Sequence, residues 1–252
     1  MSGLLEGRVA LVTGAGQGVG RGIALALAAE GASVAVAGRT VAKCEKVADE
    51  IATRGGEAWP VALDVKDPEQ VMATVHDVVE RLGGLHILVN NAQEVARGAL
   101  LEVDLDQVQS GWESGPLATL RLMRAAHPHL CDGGVIINLA SRAGVKPDPV
   151  DCGAYAAVKE AIRVLTRSAA WEWADDGIRC FAIMPLADSP ALADLARDEP
   201  DAYERSLRSI PMRRFGDPET DIGRVVVFLC GPDAGYLTGI TIPIDGGAAH
   251  LG

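Results

Sequence analysis

The chain has 252 residues, enough to bury a full core as one α/β domain, and combines 48% apolar residues and 29 glycines with few aromatics. Its formal charge of -11 argues against nucleic acid or an anionic membrane as a partner, because a phosphate surface repels it at long range. Cys44, Cys131, Cys152, Cys180 and Cys230 are scattered, odd in number and free of any C-x-x-C or histidine-bearing cluster, which argues against a zinc site or disulfide framework and for reduced thiols in the cytoplasm.

Near the start no basic stretch precedes a long apolar core, and no apolar run approaches the length of a membrane span. Short apolar runs at 9–13, 33–37, 58–63, 86–90, 135–139, 178–183 and 240–244 predict strands. Between them, 20–30, 41–53, 68–82, 105–130, 155–173 and 218–229 predict crossover helices. Such alternation is the pattern of a parallel sheet covered on both faces, and nothing resembling a linker or repeat divides residues 1–252. Residues 184–217 carry Pro185, Pro190, Pro200, Pro211 and clustered charges, and are expected to form one long irregular substrate loop.

The first strand runs into Thr13-Gly14-Ala15-Gly16-Gln17-Gly18-Val19-Gly20 and then into a helix. Glycines there let the backbone approach a pyrophosphate while the free N–H groups of the helix start face it. Further on, Tyr155 precedes Lys159 by four residues, so phenol and ammonium share a helix face, where the cation is expected to lower the tyrosine pKa. Ser141, at the end of an apolar strand, stands where the sites of open α/β sheets lie.

Taken in order, Thr13-Gly-x-x-x-Gly-x-Gly20, Asp64-Val65, Asn90-Asn91-Ala92, Ser141, Tyr155-x-x-x-Lys159 and Asp245-Gly246-Gly247 resemble the short-chain dehydrogenase/reductase family over nearly the whole chain. The resemblance implies a Rossmann-type doubly wound parallel sheet of about seven strands with helices on both faces, binding a nicotinamide dinucleotide. It further implies Tyr155 as general acid or base, Lys159 on the nicotinamide ribose, Ser141 on the substrate oxygen, Asp64 at the adenine amine and Asn90 at the sheet and ribose. The cofactor set is then Thr13, Gly14, Gly16, Gln17, Gly18, Val19, Gly20, Arg39, Asp64, Val65, Asn91, Ala92, Tyr155, Lys159, Pro185 and Ser189. A homodimer or homotetramer, built partly from the 105–130 and 155–173 helices, also follows from the resemblance.

Cofactor choice turns on the second strand. No acid occurs from 34 to 43, where a carboxylate would hold the ribose of NAD(H), and Arg39 closes the strand where a guanidinium accommodates a 2′-phosphate. NADP(H) is therefore favoured over NAD(H).

Three positions depart from the family pattern. Gln93 replaces a glycine, Gly115 stands where an asparagine usually anchors a water of the proton relay, and Pro185-Leu186 replaces Pro-Gly. The expected activity is that of a carbonyl reductase or alcohol dehydrogenase acting on a small ketone or secondary alcohol; the alternative is a silent relative that binds nucleotide or a partner. Gln93, Glu94, Arg142, Asp148, Cys152 and Leu186 are candidates for the substrate pocket, no metal is expected, and Gly115→Asn is expected to raise turnover.

Overall fold

The computed structural model describes residues 3–146 and 152–249. Seven parallel strands form one sheet in the order β3-β2-β1-β4-β5-β6-β7: β1 (Val9–Thr13), β2 (Ser33–Gly38), β3 (Ala58–Ala62), β4 (Ile87–Asn90), β5 (Val135–Leu139), β6 (Arg179–Pro185) and β7 (Thr241–Ile244). The helices are α1 (Gly18–Ala29), α2 (Val41–Thr53), α3 (Pro68–Leu82), α4 (Leu105–Trp112), α5 (Ala118–Leu130), α6 (Gly153–Glu172), α7 (Pro190–Asp198), α8 (Pro200–Arg208) and α9 (Arg224–Cys230).

The two-residue period of the strands sorts the core into two layers. Ala10, Val12, Val34, Val36 and Ile137 pack with α1, α2 and α9 on one face. Val9, Leu11, Ala35, Ala37 and Ile136 pack with α3, α5 and α6 on the other. Strand order reverses between β1 and β4, so the loops after these strands diverge and leave a crevice at their carboxyl ends.

Local chemistry sets the helix ends. Asp67 caps α3 by accepting from the Glu69 and Gln70 N–H groups at 2.9 and 3.2 Å, with Pro68 at the first helical position. The helix expected over 105–130 is instead two helices joined by a π-helical turn, Glu113–Leu117. Pro116 sits inside it, and its ring removes one N–H donor from the helical ladder and crowds the preceding turn.

Residues 184–217 are not one irregular loop. They hold α7 and α8, each opened by a proline, and Ser189 caps α7 by accepting from the Leu192 N–H at 3.3 Å. Pro190 and Pro200 point to a loop when read from sequence, but at the first helical position a missing N–H costs nothing and the fixed φ is already helical. Leu192, Tyr203, Leu207, Ile210 and Phe215 give the segment an apolar cluster of its own.

Candidate active site

The turn after β1 is locked to the end of β4. Thr13 Oγ1 donates to the Val89 carbonyl at 3.2 Å and accepts from the Asn91 and Ala92 N–H groups at 3.0 and 3.1 Å. Asn91 Nδ2 donates in return to the Thr13 and Gly14 carbonyls at 2.9 and 3.1 Å. Gly14 and Gly18 adopt φ of 64° and 55°, and a Cβ on Gly20 would lie 2.5 Å from the Gly14 oxygen, so side chains are excluded where the chain folds tightest. Gln17 gives α1 no side-chain cap and its first turn holds no acid. The free N–H groups and the positive end of the helix dipole are thus available to an anion, and the turn fits the diphosphate of a dinucleotide.

A cavity of about 440 Å³ opens over this turn. It is lined by Gly14, Gly16, Gln17, Gly18, Arg39, Asp64, Val65, Asn91, Ala92 and Ser189, all expected at the cofactor, and by Gln93. Lys43 and Thr40, absent from the sequence expectation, line it too, and Lys43 Nζ donates to Gln17 Oε1 at 2.7 Å. A lysine in the first turn of the helix after Arg39 was the available signal. Val19 packs against the core, and Pro185 ends β6 outside the cavity lining. Asn90 does not line this cavity: it is buried and donates from Nδ2 to Asn138 Oδ1 at 2.8 Å, in a core chain continued from Asn138 Nδ2 to Thr166 Oγ1 at 2.9 Å.

The acid-free surroundings expected for Arg39 are not found. Its stretch of sequence contains no acid, yet its guanidinium is paired with Glu94, which reaches it from beyond β4. Glu94, a candidate for the substrate side, faces Arg39 and Lys66 instead.

Strand β5 positions the reacting groups. Ser141 follows it and accepts the Ala143 N–H at 3.2 Å, capping a short 3-10 turn. Its side chain is hydrogen-bonded to that of Tyr155, in the first turn of α6. One turn further on, Lys159 is buried, with Nζ 5.6 Å from the Tyr155 ring centre and donating to the carbonyl of Leu139, the last residue of β5, at 2.6 Å.

The acidities of this pair differ from expectation. Burial raises the Tyr155 phenol above its ordinary value, against a lowering by the Ser141 hydrogen bond and by Arg97, with Cys152 adding to the rise. Burial acts on the Lys159 ammonium as well and pushes its pKa down to about 7. The ligand-free site therefore holds a protonated phenol beside a lysine whose charged form burial disfavours.

Of the substrate candidates, Arg142 lies in the 3-10 turn after Ser141, and Cys152 immediately precedes α6, close enough to act on Tyr155. Leu186 does not line the cofactor cavity; it lines a separate one with Met212, Arg214 and Asp245. Asp148 lies outside the described residues. His127, Cys131 and Asp176 bring ligand-type atoms within 4.8 Å of one another away from this site, and His127 Nε2 is engaged by Asp176 at 2.9 Å.

Gln93 and Gly115 account for each other. The Gln93 amide lies over Gly115, so that a Cβ there would be 3.0 Å from Gln93 Nε2 and 2.7 Å from Val158 Cγ1. Both amide atoms of Gln93 are buried without a hydrogen-bond partner among the described residues. This reverses the expectation for Gly115→Asn: the substitution should destabilise the fold by about 1–3 kcal/mol through overpacking and give no gain in turnover. Urea unfolding together with initial rates would check it; unchanged stability with faster turnover would favour a missing relay group instead.

With this geometry, likeness to known proteins becomes decisive. A family model described as enoyl-(acyl carrier protein) reductase matches residues 14–249. The chain is 40% identical to a 12alpha-hydroxysteroid dehydrogenase from a Clostridium species, over 97% of this chain and 98% of that one. It belongs to the short-chain dehydrogenase/reductase family. Another relative within the short-chain dehydrogenases, a 3-oxoacyl-(acyl-carrier-protein) reductase from Staphylococcus aureus, is 37% identical over 94% of this chain and 96% of its own. A solved dehydrogenase/reductase from Sinorhizobium meliloti 1021 superposes with a TM-score of 0.91 at 33% identity, covering 99% of this chain and 98% of that one. As a short-chain dehydrogenase/reductase the protein is an NAD(P)-dependent oxidoreductase acting on a small molecule. No helix among the described residues is long and apolar enough to cross a membrane.

Proposed function

We propose that the protein is an NADP(H)-dependent carbonyl reductase or alcohol dehydrogenase that interconverts a small ketone and a secondary alcohol. The observation that carries this reading is the hydrogen-bonded Ser141 and Tyr155 pair, one helical turn from buried Lys159 and held by the same strand that anchors the lysine. Bound nicotinamide supplies or accepts the hydride. Ser141 and Tyr155 hold the substrate oxygen, and the phenol gives its proton to that oxygen as negative charge develops there. Its raised pKa keeps the phenol protonated at neutral pH, the state reduction requires. Lys159 holds the nicotinamide ribose.

Arg39 and Lys43 bring two cations to the cleft, which supports a phosphorylated cofactor. Arg39→Ala should weaken NADPH binding by about 1.5–3 kcal/mol, roughly ten- to a hundredfold, and NADH binding little. Titrating both cofactors into wild type and variant is the check, and equal losses would remove the assignment. For turnover, the test is NADPH oxidation against a panel of ketones and quinones that includes an oxosteroid and a 3-oxoacyl thioester. Turnover on none of them would favour a nucleotide-binding protein without catalysis.

The whole chain acts as one cofactor-binding unit, with 184–217 as its substrate segment. The five free thiols suit a cytoplasmic setting. Trp171, which is 90% exposed, together with exposed Val164 on α6 and Trp112 on α4, supports a homodimer or homotetramer joined through these helices. Trp173, two residues on, instead packs in the core against His127.

A further inference from the structure

We propose that Glu94 tunes the cofactor preference of this site, because it is the fixed carboxylate from which a ribose 2′-phosphate must take Arg39. The inference rests on the reading of Arg39 as the group that meets that phosphate.

The two partners are held very differently. The Glu94 N–H donates to Ser114 Oγ at 3.0 Å, and buried Ser114 donates in turn to the Ser110 carbonyl at 2.7 Å. The Glu94 carboxylate accepts from Lys66 Nζ at 3.2 Å and is also hydrogen-bonded to the Ser110 side chain. Burial alone would raise its pKa, but Lys66, Ser110 and Arg39 together bring it below the ordinary value, so the group stays ionised at neutral pH. The Arg39 side chain, by contrast, is 60% exposed against 27% for Glu94, and projects from the end of β2 with Glu94 as its ion-pair partner. One member is anchored through backbone and side chain; the other is a long arm free to swing.

The consequence for the two cofactors is opposite in sign. A 2′-phosphate arriving at Arg39 replaces one charge-assisted bond with another and leaves its own negative charge facing the Glu94 carboxylate in a part-buried cleft. A ribose hydroxyl brings no charge and can donate to that carboxylate. Glu94 thus opposes NADPH and tolerates or favours NADH. Lys66, engaged by Glu94, also loses its partner and adds to the positive charge beside the cleft once the carboxylate is gone.

The test is fluorescence titration of NADPH and NADH into wild type, Glu94→Gln, Glu94→Ala, Arg39→Ala and the Arg39→Ala/Glu94→Gln double variant, with thermal melts to establish folding. Glu94→Gln keeps the size of the side chain and one acceptor oxygen while removing its charge; Glu94→Ala repeats the charge loss by another route. Both should tighten NADPH about tenfold while NADH changes less than about twofold, and the gain should shrink when Arg39 is already alanine. If Arg39→Ala weakens NADPH but neither Glu94 variant changes the NADPH to NADH ratio, the inference is overturned and the cofactor reading stands. Equal tightening of both cofactors also overturns it, since Glu94 would then merely obstruct entry. If Arg39→Ala leaves NADPH untouched, both the reading and the inference fall.

Discussion

Tyr155→Phe should lower turnover by about 10²- to 10⁴-fold, the usual worth of a positioned general acid, while leaving NADPH affinity within about twofold. The phenol hydroxyl is the atom removed, and its partner in the structure is the Ser141 side chain at the end of β5, not the glycine turn that cradles the dinucleotide. Ser141 keeps the Ala143 N–H, so the strand end stays capped and the fold should lose only about 1 kcal/mol. Direction matters as well. Burial holds the Tyr155 proton on, so ketone reduction starts from the form already present, whereas alcohol oxidation needs the phenolate and should speed up as pH rises above neutrality. Initial rates in both directions across pH would show this; a Tyr155→Phe protein that retains full activity places the proton donor elsewhere.

Much of this was legible because it depended on local rules. Alternating apolar strands and longer helical patterns located all seven strands and the helix from Pro68 to Leu82. The order of glycine turn, Ser141, Tyr155 and Lys159 was visible for the same reason, since each motif lies within one strand end or helix turn. What escaped was whatever depends on chain segments far apart. A window from 34 to 43 contains no acid, yet Glu94, 55 residues from Arg39, meets it across the crevice. Gly115 looks like a missing amide until the fold lays Gln93 over it. Spacing alone suggests a charged Lys159, whereas burial in the folded protein decides its charge. Pro190 and Pro200 mislead differently: the same residue stops a helix in its interior and starts one at its first position.

Lys159→Met should make the ligand-free protein more stable at pH 7 while abolishing its catalysis. Folding carries the ammonium from water, where its pKa is 10.5, to a buried site where it falls to about 7, with the Leu139 carbonyl as its hydrogen-bond partner among the described residues. A tenfold change in proton affinity corresponds to about 1.4 kcal/mol, so ionisation of this one side chain opposes folding by a few kcal/mol at neutral pH. Loss of the Leu139 bond returns only about 1 kcal/mol of that. The sign of the pH dependence follows. Between the folded pKa near 7 and the unfolded value of 10.5, the unfolded chain binds the extra proton, so wild-type stability gains from this group as pH rises. Above the ordinary thiol pKa of 9.0 the gain is opposed, because burial raises Cys180 and Cys230 to about 12 and their ionisation then favours the unfolded chain. The window for measurement is therefore about pH 7 to 9, over which the advantage of Lys159→Met in urea unfolding should shrink by about 2 kcal/mol. A constant advantage across that window would mean that Lys159 keeps its proton throughout in the folded protein, and a destabilised variant would mean that the ammonium is solvated there.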